Sequence, residues 1–135
     1  MNKRAYKGLL EAVVLLSIAA WAVADQQVLV HCAVNQDGIQ IDEPVLMSME
    51  KVLELAQAVP QQPQNFIGFT DTDGTVFQFF VDAPGKIWVE IPSVAEQGSY
   101  GKHVSESEFL ELVTGLQAPY SQYRDNLGLE FEPWR

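Results

Sequence analysis

The chain has 135 residues and carries 8 Lys and Arg against 18 Asp and Glu, a formal net charge of −10. That length suits one domain, and a 47% hydrophobic content is enough to bury a core, which excludes an intrinsically disordered chain. The acid surplus repels phosphate, so it speaks against nucleic acid or an anionic membrane as partner and favours a basic protein.

The N-terminus has the layout of a secretory signal peptide. Lys3, Arg4 and Lys7 precede an apolar run over residues 12–24, which closes on Ala22-Val23-Ala24, an A-x-A cleavage pattern. The run is short for a bilayer span. Glu11 intrudes at its start. A cleaved signal, an uncleaved anchor reaching back to Leu9 and a buried N-terminal helix therefore stay open. Cleavage after residue 24 would remove Lys3, Arg4, Lys7 and Glu11. That leaves residues 25–135 as a single acidic domain with five basic and seventeen acidic side chains, a net of −12.

Residues 28–34 are continuous, apolar and β-branched, and predict a strand. Cys32 lies within it. A single cysteine can make no internal disulfide, and this setting predicts a buried, unreactive thiol. Asn35-Gln36-Asp37-Gly38 is a turn cluster, residues 39–41 alternate as a short second strand, and Glu43-Pro44 reads as a break. Ser48 is placed to cap a helix over residues 49–59, with Val52, Leu55, Ala56 and Val59 on one face and Pro60 as its stop.

Residues 65–92 then read as a three-stranded meander. Residues 66–69 end at Thr70-Asp71-Thr72-Asp73-Gly74, where Asp-Gly tolerates the positive φ of a tight hairpin. Residues 75–81 follow, β-branched and aromatic with one polar interruption at Gln78. Asp82-Ala83-Pro84-Gly85 turns the chain into residues 86–91. A loop is expected over residues 93–103. A second helix over residues 105–116 starts on the capping box Ser105-Glu106-Ser107-Glu108 and presents Phe109, Leu112, Val113 and Leu116. In the tail, Leu129, Phe131 and Trp134 are suited to cover a sheet edge. These elements predict an α+β domain: one antiparallel sheet with a meander core, and two main helices packed on one face.

Catalytic and metal chemistry find little footing. Asp71-x-Asp73-Gly74 lacks the third alternating oxygen of a calcium loop and carries Phe80 where its glutamate belongs, so it reads as a turn. His31 and Cys32 are adjacent in a strand and point to opposite faces, which suits no shared metal. His103 reads as a solvated loop residue. No nucleophile elbow, phosphate loop or dinucleotide fingerprint occurs. The expectation is a non-enzymatic protein with no catalytic residue, no metal and no cofactor. What stands out is aromatic and acidic: Phe79 and Phe80 are neighbours in a strand, so one ring lies on the face the helices leave open. Asp71, Asp73, Phe79, Phe80, Asp82, Trp88 and Glu90 are the candidate partner-binding residues.

The order of parts carries a resemblance. A capped helix precedes Asn65-Phe66 and an apolar strand, then come the Asp73-Gly74 hairpin, Gln78 within its strand, Trp88-Val89-Glu90, the helix opening at Ser105, and a late Glu132-Pro133-Trp134. Over roughly residues 45–134 this resembles the small immunity proteins of bacterial polymorphic toxin systems. The resemblance implies a single α+β domain that binds and inhibits a cognate toxin, which would have a basic surface. A signal at residues 1–24 would place the protein in the periplasm or outside the cell, facing an envelope-directed toxin. Without one, it would be cytoplasmic. The alternative reading is an exported binding or structural module with an envelope partner or a small ligand. Neither reading involves nucleic acid, nor a stable membrane partner unless the N-terminal segment stays uncleaved.

Overall fold

A computed structural model describes residues 26–135. The signal, anchor and N-terminal helix readings lie outside the described residues. The chain forms one 7-stranded sheet in the order β2-β1-β3-β4-β5-β6-β7. The strands are β1 (Gln27–Val34), β2 (Ile39–Ser48), β3 (Phe66–Thr70), β4 (Val76–Ala83), β5 (Lys86–Ser93), β6 (Gly98–Val104) and β7 (Glu130–Pro133). Every neighbouring pair is antiparallel. The helices are α1 (Met49–Ala58), α2 (Glu106–Thr114) and the short α3 (Gln122–Asn126), so the fold is α+β with a meander sheet.

The expected meander is the centre of the sheet, β3-β4-β5. Its turns form where local chemistry favours them: Gly74 has φ 91° in the first hairpin and Gly85 φ 74° in the second. Both helices start on serine. Ser48 Oγ accepts from Lys51 N at 3.2 Å, and Ser105 and Glu108 complete a reciprocal capping box. That box makes the helix sensitive to acid. The Ser105 backbone N–H bonded to Glu108, joined by the Ser105 side chain, holds the Glu108 carboxyl below its ordinary value of 4.5. A carboxyl lowered in the folded state adds stability above its unfolded value and loses it as pH falls through the folded one. Urea titrations from neutral to acid pH should therefore show a flatter acid limb in Glu108→Gln than in the parent. Equal limbs would mean that the box contributes nothing.

Alternation along the strands separates two faces. One set, including Val30, Cys32, Ile67, Phe69, Phe77, Phe79, Val81, Ile87 and Val89, is fully buried and meets Val52, Ala56, Phe109 and Val113 from the helices. Phe79 is the hub. Its ring makes edge contacts with Phe77 and Phe109 at 4.9 Å each and with Phe69 at 6.4 Å, while Phe77 stacks on Tyr123 at 4.4 Å. Cys32 sits at 0% exposure, and burial pushes its thiol up from the ordinary value.

Two expectations are corrected, and a third, the covering tail, takes a more definite form. Glu43-Pro44 does not break the chain: β2 continues through it. The β1–β2 register shifts between Val30 and Cys32, leaving residues 42–44 without partners on β1, and in that bulge on an edge strand a proline costs no ladder bond. The loop expected over residues 93–103 is largely β6, which pairs with β5 from Ile87↔Val104 to Ser93↔Gly98. Its glycines are there for room. A Cβ on Gly101 would stand 2.4 Å from the Trp88 ring, and one on Gly98 would stand 2.5 Å from both the Phe131 ring and the Glu132 carbonyl. The tail does cover the sheet edge, but as strand β7, with Phe131 against Tyr100 at 5.2 Å and Trp134 Nε1 donating to Ser99 Oγ at 3.0 Å.

Candidate functional site

The face that α1 and α2 leave uncovered carries the opposite alternation, and pairing arranges it into two adjacent cross-strand rows. One row runs Ala33, Phe66, Phe80, Trp88, His103 and is mostly aromatic. The other runs His31, Gly68, Gln78, Glu90, Gly101, Glu130. The missing side chains at Gly68 and Gly101 give the rings somewhere to lie. A Cβ on Gly68 would stand 2.2 Å from the His31 ring, so the imidazole rests across β3, and the Trp88 indole rests across Gly101 on β6.

The polar row is a directed hydrogen-bond chain ending on one carboxylate. Gln78 Nε2 donates to Glu90 Oε2 at 2.7 Å, and Trp88 Nε1 donates to Glu90 Oε1 at 3.0 Å. Gln78 thus turns its Oε1 to His31, whose Nε2 lies 3.3 Å away and must be the donor. His31 Nδ1 is enclosed without a partner. Two donors, from Gln78 and Trp88, converge on Glu90. Each carboxylate oxygen has taken one bond, and about half of its acceptor capacity is left. At the other end of the aromatic row His103 Nε2 meets Asp82 Oδ2 at 2.7 Å, and its ring stands edge-on to Trp88 at 5.0 Å. His103 is therefore exposed as expected, but it is a strand residue held by a carboxylate and an indole, not a loop residue.

Between the rows lies an open cleft of about 530 Å³, lined by His31, Phe66, Gln78, Phe80, Trp88 and Glu90 with Phe79 beneath. Phe80 is the uncovered ring of its pair, 41% exposed, while Phe79 at 0% belongs wholly to the core. Of the seven candidate residues, Phe80, Asp82, Trp88 and Glu90 share this face. Asp71 does not. It is buried, and its carboxylate accepts from Tyr120 N at 2.7 Å and Thr72 N at 2.7 Å, tying the β3–β4 hairpin to the tail. Asp73 is exposed in that same hairpin, where its carboxylate accepts from Thr75 N at 2.9 Å. Both of these acids serve the turn and do not join the cleft.

His31, Phe66 and Gln78 complete the site and were not among the candidates. Their signal is parity: each falls on the same alternation as Phe80 and Trp88, and a glycine inside a strand, such as Gly68, marks a close approach. A second depression, of about 330 Å³, lies beside Tyr100, Glu96 and Arg124. Its central polar groups are already engaged, with Tyr100 Oη donating to Glu96 at 2.6 Å and the Arg124 guanidinium 4.4 Å above the Tyr100 ring. Among the described residues no three His, Cys, Asp or Glu side chains come together to hold a metal ion, and no helix is long and apolar enough to cross a membrane. No family model, curated protein or solved structure matches the chain.

Proposed function

We propose that this chain is a non-enzymatic immunity protein that binds and inhibits a cognate bacterial toxin through the uncovered sheet face. The observation that carries the reading is the pairing of exposed Phe80 with half-buried Trp88 beside Glu90 on the uncovered sheet face. Large rings bordering a partly used carboxylate are typical of the few residues that dominate protein–protein affinity. The net charge of −10 adds attraction at a distance, which speeds encounter with a basic toxin surface. If residues 1–24 are a signal peptide the toxin acts in the periplasm or at the envelope, and otherwise in the cytoplasm. The cleft of about 530 Å³ favours a second reading, an exported module that takes a small ligand or an envelope partner.

Co-expression tests the first reading. Cells producing a candidate toxin should survive when this chain is present if that toxin is the cognate one, and the purified pair should associate with a dissociation constant in roughly the nanomolar range. Trp88→Ala should lose the rescue. Cells that die at the same rate with and without the chain would remove the proposal and leave the exported module as the reading.

A further inference from the structure

The cleft is specific about what it can hold. Its formal charge is the Glu90 carboxylate, bonded by its cross-strand neighbour Gln78 and by Trp88 on its own strand. Phe80 and Trp88 are direct cross-strand partners, so two aromatic rings border the approach to that carboxylate. The donor chain from His31 leaves no outward-facing donor on Glu90 itself, only acceptor positions. An incoming group therefore has to bring N–H donors, positive charge and a shape that lies against aromatic faces. A carboxylate or phosphate brings none of these. An ammonium brings charge but is compact and strongly hydrated. A guanidinium is planar, weakly hydrated, forks onto a carboxylate and stacks on indole and phenyl rings.

We infer that the cleft between Phe80, Trp88 and Glu90 receives an arginine side chain of a basic protein partner, with the guanidinium bonded to Glu90 and lying against the two rings. This deepens the toxin-binding reading by naming the chemistry of the contact. The recognition itself is a property of the cleft and is tested without any toxin.

The probe is a short arginine homopeptide, compared with a lysine homopeptide of equal length, each titrated into the 15N-labelled protein. The indole N–H of Trp88, assigned by its loss in Trp88→Phe, is the reporter, and the Trp134 indole N–H is the control. The arginine peptide should bind saturably and move the Trp88 signal, with the lysine peptide roughly tenfold weaker. Glu90→Gln keeps the size but removes the charge and one of the two acceptor oxygens that Gln78 and Trp88 use. It should weaken the arginine peptide by about tenfold and erase the preference over lysine. Phe80→Leu, at an exposed ring, should reduce the preference with the fold intact. Asp82→Asn should weaken both peptides alike. Equal binding of the two peptides, a silent Trp88 signal, or a preference that survives Glu90→Gln would each overturn the assignment. If arginine selectivity holds while co-expression gives no rescue, the toxin reading fails and the arginine cleft stands. If rescue holds without selectivity, the converse applies.

Discussion

Replacing Phe79 by alanine should destabilise the fold by about 3–5 kcal/mol, the usual cost of emptying a fully enclosed phenylalanine site. The same substitution one residue on, at Phe80, should change stability by no more than about 1 kcal/mol, since surface positions outside special interactions seldom move it further. The difference follows from which face each ring occupies. Phe79 meets Phe69, Phe77 and Phe109 at 0% exposure, so alanine would leave a cavity ringed by aromatic edges. Phe80 is 41% exposed and packs sideways along the sheet. Its loss should appear in partner affinity, by about 2 kcal/mol or more if it is one of the dominating contacts. Denaturant unfolding reads the first effect and calorimetric titration with the partner reads the second. Equal losses of stability from the two substitutions would mean that both rings are core.

Asn65→Ala should be nearly as severe for stability, about 3 kcal/mol or more, because it strands several buried groups at once. Asn65 is fully buried just before β3 and joins three parts of the chain. Its Oδ1 accepts from Asn35 N at 2.9 Å, and its Nδ2 donates to Val59 O at 3.1 Å and Gln36 Oε1 at 2.8 Å. Alanine leaves the Asn35 N–H and the Val59 carbonyl in a place that water reaches poorly. Asn65→Asp should be at least as damaging: it retains the acceptor for Asn35 but turns a second oxygen toward the Val59 carbonyl. In thermal melts both should fall by more than about 10 °C, taking about 4 °C per kcal/mol for a domain of this size. An alanine variant melting within a few degrees of the parent would show that the end of α1 and the β1–β2 turn are held by something else.

The parts of the fold legible in the sequence are those set by neighbours in the chain. Asp73-Gly74 and Pro84-Gly85 mark their own turns, and Ser48 and Ser105 with Glu108 mark their own helix starts. What escaped depends on distant partners. The β6 segment opens on Gly-Ser-Tyr-Gly, poor strand material by propensity, and becomes a strand because β5 offers a ladder and Trp88 and Phe131 need the vacated space. Pro44 looks like an ending until the β1–β2 bulge supplies a place where its missing N–H is not needed.

The site divides in the same way. Adjacent residues in a strand must face opposite ways, so one of Phe79 and Phe80 had to be uncovered, yet alternation cannot say which. That is decided by where α1 and α2 come down. Asp71 looked like surface acid, and nothing near it in sequence announces Tyr120, 49 positions away, whose N–H it receives. The chain from His31 through Gln78 to Glu90 spans β1, β4 and β5 and exists only once the register is set.

The glycine-floored face has a further consequence for how this surface can change. Residues of one parity fill the core, and those of the other parity build the cleft on the far side of the same backbone. Substitutions at Phe66, Phe80, Trp88 or Glu90 touch few of the side chains that hold the helices, so their effects on stability should combine almost independently with changes there. What the protein recognises can then drift, or be randomised in a library, while its frame stays constant. The constraint on such variation comes from Gly68 and Gly101, because a side chain at the first would displace the His31 ring and one at the second the Trp88 ring, both of which line the cleft.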